Sequence, residues 1–519
     1  MGENMKGFIF VKNTVILTAT ALILRTVGMF FKIWISGKIG AEGVGLYQLV
    51  STVYLFCATF ASTGISTGVT KLISEQRIKT RKSVNSVVLW ATLLTLGAAA
   101  VIGVLVEILS PFISKTLIGD MDALPAVRIF CLALPFKGTA ACVKGYFYAV
   151  RKSTHPAVSQ LFEQAVRIIV ISFCISRLGV ATPYAVQSIV IGDIISEAAS
   201  LVYIYIAYKK ECKRLEKGEN PPEKVLCKLL EVALPTAGSK YITSGLHTIE
   251  SLLVPAQLTL FTLSREESVA QFGMLKGMAL PLLFFPAAFL SATAILLIPE
   301  TAEAAAEGRE RKIREITERT VGITLTLGIL IGGIFFMNAN ELGVLIFNSK
   351  EVGYMIRLLA PIVPFMYLES IADGILKGLN LQKYSLIYNV CDSSVRILAI
   401  FIFLRRFGML GFLGVMIVSN ITTSSLNTRR LMISSKTQFK ISEWVIKPLA
   451  AVVAGVMLSS FLVSQMGLEG IFKIIVSSII TGVIFGVGLI MGGVIGKNEL
   501  NFGLKVVKKG NFGRFLKNN

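Results

Sequence analysis

The sequence predicts an all-α polytopic membrane protein with fourteen transmembrane helices, and three observations lead there. Of its 519 residues, 54% are apolar and 16% are charged, whereas charged residues approach about a quarter of a soluble domain. Apolar runs of about 20 residues recur along the whole chain. Each is long enough to cross a hydrocarbon core of about 30 Å as a helix, the open-chain conformation that satisfies every backbone group there. Finally, the chain resembles itself at a fixed offset, as two related halves would.

The expected spans run from 13 to 35, 44 to 70, 84 to 109, 124 to 149, 155 to 177, 184 to 208 and 229 to 256. They continue from 269 to 298, 319 to 339, 354 to 377, 384 to 404, 410 to 432, 444 to 465 and 470 to 495. Shifting the chain by 229 positions places Pro135-Phe136 on Pro364-Phe365, Gly145 on Gly374, Glu163 on Asp392, Val166-Arg167-Ile168 on Val395-Arg396-Ile397, and Gly179 on Gly408. The fourth and fifth spans thus repeat as the tenth and eleventh. Parallel repeats are one of the usual ways transporters are built, with the substrate site at the repeat interface. The expected organisation is a six-helix lobe over 1–208, a basic linker over 209–228 with Pro221-Pro222, a second six-helix lobe over 229–440, two further helices within 441–496, and a basic tail over 497–519.

The net charge of +21 would suggest nucleic acid in a soluble protein. No basic, aromatic-interleaved segment lies outside the spans, so no nucleic-acid partner is expected. Basic loops follow the positive-inside rule instead. Loops on the side of the N-terminus hold roughly 34 of the 52 Lys and Arg, so both termini are expected to face the cytoplasm, which requires an even number of spans. The first apolar run is too long for a cleavable signal and contains Arg25. The seven cysteines lack C-x-x-C spacing and read as reduced packing residues.

A cation at membrane depth costs a few kcal/mol, so a helix keeps one only beside protein or trapped water. Arg25 lies near the middle of the first span, without an acid at helical spacing, and Lys32 follows on the same face. Lys137, Arg167, Lys276 and Arg396 also fall in apolar runs, with Arg128, Lys144, Lys240 and Arg357 as further examples. Guanidinium matches phosphate oxygens and stays ionised when desolvated, so Arg25, Lys32, Lys137, Lys276, Arg167 and Arg396 are the candidate cavity cations for an anionic head group. For Arg167 and Arg396 a structural alternative stands beside this reading, because Glu163 and Asp392 precede them at the i, i+4 spacing of an intrahelical pair. Glu250 and Asp373 are candidates for a coupling ion, a proton or Na+. Asp373 could equally neutralise Lys377, and His247 could hydrogen-bond Glu250. Prolines within spans, among them Pro135, Pro235, Pro255, Pro281, Pro361 and Pro364, are candidate hinges.

The sequence contains no G-x-x-x-x-G-K-[ST] and no H-E-x-x-H; Gly64-Ile65-Ser66-Thr67-Gly68 matches G-x-S-x-G but lies inside the expected 44–70 span and not at a strand-to-helix turn, and the only histidines are His155 and His247. Neither an enzyme, a metal centre, a cofactor nor a nucleotide-driven pump is expected. The energy source is expected to be an ion gradient, the membrane potential or the substrate's own gradient.

Lys12-Asn13-Thr14, Arg25-Thr26-Val27-Gly28, the stretch from Gly40 to Leu49, Gly277-Met278-Ala279-Leu280-Pro281-Leu282 and Lys377-Gly378-Leu379-Asn380-Leu381-Gln382 resemble the stage V sporulation protein B family. That family is similar to polysaccharide exporters and MurJ-type lipid II flippases of the multidrug/oligosaccharidyl-lipid/polysaccharide flippase superfamily. The resemblance implies a MATE/MurJ-like fold with two lobes around a central cavity, two added helices forming a lipid-tail groove, and alternating access. It implies as cargo an undecaprenyl-pyrophosphate-linked sugar, the peptidoglycan precursor lipid II for spore cortex. Arg25 matches the family's first-helix arginine. One departure is Gly45, about where MurJ-type proteins tend to carry an acid. The partners implied are membrane lipids, the lipid-linked sugar and cell-wall synthesis enzymes. A MATE-type drug/cation antiporter and a non-transporting scaffold for wall-synthesis enzymes are the rival readings.

Overall fold

A computed structural model of the chain describes residues 2–75, 81–178, 182–215 and 224–494. The expected tail over 497–519, the centre of the 209–228 linker and Gly179 lie outside the described residues. Among those described, the regular structure is helical with no strand. The helices are α1 (Gly2–Ser62), α2 (Ile65–Glu75), α3 (Arg81–Phe112), α4 (Leu124–Phe130), α5 (Leu134–Ala149), α6 (Thr154–Leu178), α7 (Thr182–Cys212), α8 (Val225–Thr262) and α9 (Arg265–Gly273). They continue as α10 (Leu280–Phe284), α11 (Ala287–Ala306), α12 (Glu310–Phe347), α13 (Lys350–Leu359), α14 (Val363–Gly378), α15 (Gln382–Ser434), α16 (Lys447–Gln465) and α17 (Gly470–Met491).

Ten stretches among the described residues are long and apolar enough to cross a membrane, and the protein is a multi-span helical membrane protein. Two of these stretches, Ile16–Ser74 and Gln382–Ser434, have 59 and 53 residues. A straight helix of that length would reach roughly 80–90 Å, far beyond a hydrocarbon core of about 30 Å. Helices α1 and α15 within them are each broken once by glycine, at Gly40 (φ 70°) and at Gly408 (φ 57°), and the first stretch turns again at Gly64 (φ 81°) between α1 and α2. Only glycine takes such a conformation without steric cost, so α1 and α15 each become two arms. The breaks at Gly40 and Gly408 fall in the expected loops between the first and second and between the eleventh and twelfth spans, whereas Gly64 lies inside the expected second span. The expected seventh and eighth spans, within α8 and α9–α11, are not among the ten stretches.

The repeat reappears in the backbone at the same offset. The 3-10 turns Cys131–Ala133 and Ala360–Ile362 introduce α5 and α14, whose bounds correspond residue for residue. The left-handed residues Gly119 and Asn348 correspond, as do Arg151 and Asn380. Asp120 and Ser349, again a matching pair, both act as helix N-caps through their side chains. Pro125, Pro135, Pro281, Pro364 and Pro448 sit in the first turn of their helices, where a missing N–H leaves no intrahelical bond unmade. Several of the expected hinge prolines therefore start helices; Pro235 and Pro255 alone of that group lie inside one, α8.

The chain divides into two compact units, Met1–Leu296 with Leu381–Ser419, and Leu297–Asn380 with Asn420–Asn519. In the first, Val69, Val87, Tyr146, Phe147, Ile204 and Leu229 form a buried core across α2, α3, α5, α7 and α8. The second arm of α1 meets α9 so closely that a Cβ on Gly45 would stand 2.1 Å from the Val269 carbonyl oxygen, and one on Gly273 2.1 Å from that of Ala41. Backbone contact therefore excludes any side chain at Gly45, including the acid expected of MurJ-type proteins. In the second unit, Ile329 of α12 packs with Ala451, Val452, Phe485 and Leu489 of α16 and α17. Exposed stripes such as Val101, Val104, Ile108 and Phe112 on α3, and Ile479, Val483 and Val487 on α17, present the helical period expected of surfaces covered by lipid.

Candidate functional site

Two polar clusters lie within the first unit, each built on one of the repeated arginines. In the first, α6 carries Glu163 one turn before Arg167, and their side chains pair at 2.9 Å. Arg167 also donates to Gln164 at 3.0 Å and pairs with Asp193 of α7 at 2.7 Å. Tyr47, on the second arm of α1, donates to the same buried Asp193 at 2.9 Å. One turn along α7, Glu197 accepts from Tyr54 at 2.9 Å and pairs with Lys137 of α5 at 3.3 Å. The Lys137 ammonium lies 4.8 Å from the centre of the Tyr54 ring, a cation–π placement. Lys144 reaches Glu163 at 3.9 Å.

These groups border a cavity of about 330 Å³ lined by Leu24, Lys137, Ala140, Lys144, Gln160, Glu163, Gln164, Arg167, Glu197 and Ser200. Lys137, Lys144 and Arg167 are matched by Glu163, Asp193 and Glu197, so this cluster of six ionisable side chains is neutral as a whole. Unpaired charge at such a place would cost several kcal/mol, whereas pairing with further hydrogen bonds offsets that desolvation.

The second cluster repeats the plan with a change. Arg396 of α15 pairs with Asp392 one turn earlier and with Glu250 of α8 at 3.3 Å. Ser419 donates to Asp392 at 2.7 Å. Glu250 is 1% exposed and lies 3.8 Å from the Lys276 ammonium. Lys276 belongs to a π-helical turn, Met274–Ala279, between α9 and α10, and occupies the position that corresponds at the repeat offset to Tyr47. A hydroxyl donor in one half is thus an ammonium in the other. Arg396 and Lys276 are matched by Asp392 and Glu250, and this cluster is neutral too. His247, expected as the partner of Glu250, stands 3.9 Å away and is mostly exposed, beyond hydrogen-bond reach.

The six expected cavity cations therefore fall into two classes. Lys137, Arg167, Lys276 and Arg396 are each held by carboxylates, which makes them braces between helices before they are ligands. Arg25 and Lys32 sit on the first arm of α1, exposed on its surface, and no described carboxylate pairs with either. Of the candidate coupling acids, Glu250 belongs to the second cluster, and Asp373 pairs with Lys377 at i, i+4 in the second unit. Among the described residues no group of three His, Cys, Asp or Glu could hold a metal ion. Asp193, Glu197, Tyr47 and Tyr54 did not emerge from the sequence as site residues. The available signal was the pair of acids at i, i+4 on α7, inside an otherwise apolar span.

Two family models match the chain. One, described as polysaccharide biosynthesis protein, covers residues 10–259, and MatE covers 260–402. The stage V sporulation protein B of Bacillus subtilis (strain 168) is 24% identical over 459 residues, covering 86% of this chain and 88% of that protein. The lipid II flippase MurJ of the same organism is 24% identical over 417 residues, covering 72% and 74%. Among solved structures, a lipid II flippase MurJ in an inward closed conformation aligns with a TM-score of 0.68 at 13% identity, over 91% of this chain and 98% of that one. The chain is thus homologous to the stage V sporulation protein B and to MurJ, and it has the fold of the solved MurJ structure.

Proposed function

We propose that this protein is a flippase for a lipid-linked saccharide, with undecaprenyl-pyrophosphate-linked sugar as cargo and the lipid II precursor of spore cortex as its specific form. Homology to a lipid II flippase and to a sporulation protein supports the class. One observation supports the chemistry. Arg25 and Lys32 are the two candidate cations on the first arm of α1 that no described acid neutralises, seven residues apart on one face. A free guanidinium and a free ammonium at membrane depth are tolerated beside water or an anionic ligand, and a pyrophosphate supplies the charge and the bidentate geometry that arginine recognises.

In this reading fourteen crossings result from splitting α1 at Gly40 and α15 at Gly408 and from counting α8 and the α9–α11 run as one crossing each. The lobes are those expected over 1–208 and 229–440, both termini face the cytoplasm, and alternating access moves the head group while its tail stays in lipid. With Glu250 and Asp373 engaged by basic side chains, we assign the driving force to the membrane potential. Outward movement of negative charge through an inside-negative membrane is favourable by about 2.3 kcal/mol per charge at 100 mV. A MATE-type exporter of cationic drugs fits less well, because uncompensated cations on α1 repel such a substrate.

The reading is tested with the full-length protein in proteoliposomes, by following transfer of a fluorescent undecaprenyl-pyrophosphate disaccharide and of a cationic dye. Transfer of the lipid-linked sugar, accelerated by an inside-negative potential in inside-in vesicles, is expected. Dye transport with no lipid-linked transfer would overturn it in favour of the antiporter.

A further inference from the structure

The second unit holds a polar site that none of the foregoing uses. A cavity of about 330 Å³ opens beside the turn joining α16 to α17, and its polar lining is Asn338, Ser460, Ser464, Glu469, Lys473 and Ser477. Lys473 of α17 pairs with Glu341 of α12, and Ser477 donates to Asn338 at 2.9 Å. Ser459 and Thr481, both fully buried, share a hydrogen bond of 2.8 Å just below. Packing of α16 and α17 onto α12 thus explains the buried polar seam, but leaves a roomy, hydroxyl-lined hollow with an acid and a base at its mouth.

Depth and surroundings decide what such a hollow can take. Apart from Met337 and Asn338 of α12, its lining comes from the last turns of α16, the hairpin turn and the first two turns of α17, within about 12 Å of the hairpin tip, the level of lipid head groups when about 30 Å of helix spans the core. Phe461, Met466, Ile471, Phe472 and Ile475, interleaved with the polar positions, are exposed apolar side chains. A polar pocket framed by apolar surface suits an amphiphile with its head inside and its chains along the hairpin.

Charge selects the head group. Lys473 pairs with Glu341 and Glu469 adds a second carboxylate to the lining, so the site carries one net negative charge, which repels an anionic lipid and attracts an ammonium. We propose that this pocket binds the zwitterionic head of a phospholipid bearing a primary amine, its ammonium on Glu469 and its phosphodiester beside Lys473 and the Ser460 and Ser464 hydroxyls.

The test uses full-length protein in nanodiscs of equal parts phosphatidylethanolamine, phosphatidylcholine and phosphatidylglycerol, released into the gas phase and weighed with its retained lipids. The wild type is expected to keep phosphatidylethanolamine over phosphatidylglycerol by about tenfold, and Glu469→Gln, which breaks no ion pair among the described residues, to bring that ratio near one. Glu341→Gln with Lys473→Met removes both partners together and is expected to lower total lipid retention at unchanged helicity. Equal retention of the three lipids by the wild type, a preference for phosphatidylglycerol, or an unaltered preference in Glu469→Gln would each overturn the proposal. Transport of the lipid-linked sugar is a separate readout, so failure here is distinguishable from failure of the flippase reading.

Discussion

Arg25→Ala is expected to lower transfer of the lipid-linked sugar by at least 100-fold while leaving expression, membrane insertion and thermal stability close to wild type. The separation follows from the position of Arg25. It is exposed on α1 and pairs with no described carboxylate, so its removal orphans no acid and opens no cavity, and surface changes of this kind usually alter stability by no more than about 0.5 kcal/mol. The loss of transfer follows from its chemistry, because a charge-assisted, two-pronged contact to pyrophosphate is lost together with the charge that balanced it. Arg25→Lys keeps the charge without the fork and is expected to retain partial transfer, since the two side chains are not interchangeable at a bidentate site. Rates measured in proteoliposomes, beside melting curves of the same preparations, check both halves. A variant that unfolds, or one that transports normally, would each count against Arg25 as a ligand.

Glu250→Gln is expected to act in the opposite way, on stability first. Glu250 is 1% exposed and answers both Arg396, at 3.3 Å, and Lys276, at 3.8 Å. Replacing it with a neutral amide leaves two cations against the single carboxylate of Asp392. Breaking a buried pair by removing one partner costs about 3–5 kcal/mol, because an uncompensated charge remains in a poor dielectric. A large fall in the melting temperature of the detergent-solubilised protein is therefore expected. Combining Glu250→Gln with Lys276→Met restores the balance to one cation and one acid and is expected to recover most of that loss, a coupling that additive effects would not produce. If Glu250→Gln melts like wild type, Glu250 is not the keystone of the second cluster and a coupling role regains ground.

Much of the fold was legible because its signals are local or strictly periodic. Apolar runs set the helices, and Gly40 and Gly408 fell in expected loops because each interrupts a run near basic or small residues. The offset of 229, seen first in Pro135 and Pro364 and in Arg167 and Arg396, proved to carry the 3-10 turns and left-handed residues as well. The segments α8 and α9–α11, expected as the seventh and eighth spans, fall outside the ten long apolar stretches, since Pro235, His247, Glu250, Pro255 and Lys276 dilute their apolarity.

The candidate site was legible only in part, for a physical reason. Spacing along a helix exposes i, i+4 partners, so Glu163 beside Arg167 and Asp392 beside Arg396 could be read directly. It cannot say which acid from another helix completes the pair, and Asp193 and Glu250 are those acids. Arg25 and Arg167, already distinguished by Glu163 at i, i+4, differ further in what faces them across a helix interface, which spacing along the chain does not show. The same limit hid Tyr47 and Tyr54, ordinary aromatic residues in an apolar run until their hydroxyls meet Asp193 and Glu197. The constraint at Gly45 was equally invisible, because it lies in the distance to the Val269 carbonyl and not in any neighbour along the chain.

The central claim is that the unneutralised pair on α1, and not the paired arginines, holds the pyrophosphate. Equilibrium binding of an undecaprenyl-pyrophosphate disaccharide to the purified full-length protein tests it most directly, comparing wild type with Arg25→Gln/Lys32→Gln and with Glu163→Gln/Arg167→Gln, which removes a matched acid and base. The first double variant is expected to bind at least 30-fold more weakly and the second within about threefold of wild type. Unchanged affinity in Arg25→Gln/Lys32→Gln, with the large loss appearing in Glu163→Gln/Arg167→Gln instead, would contradict the account.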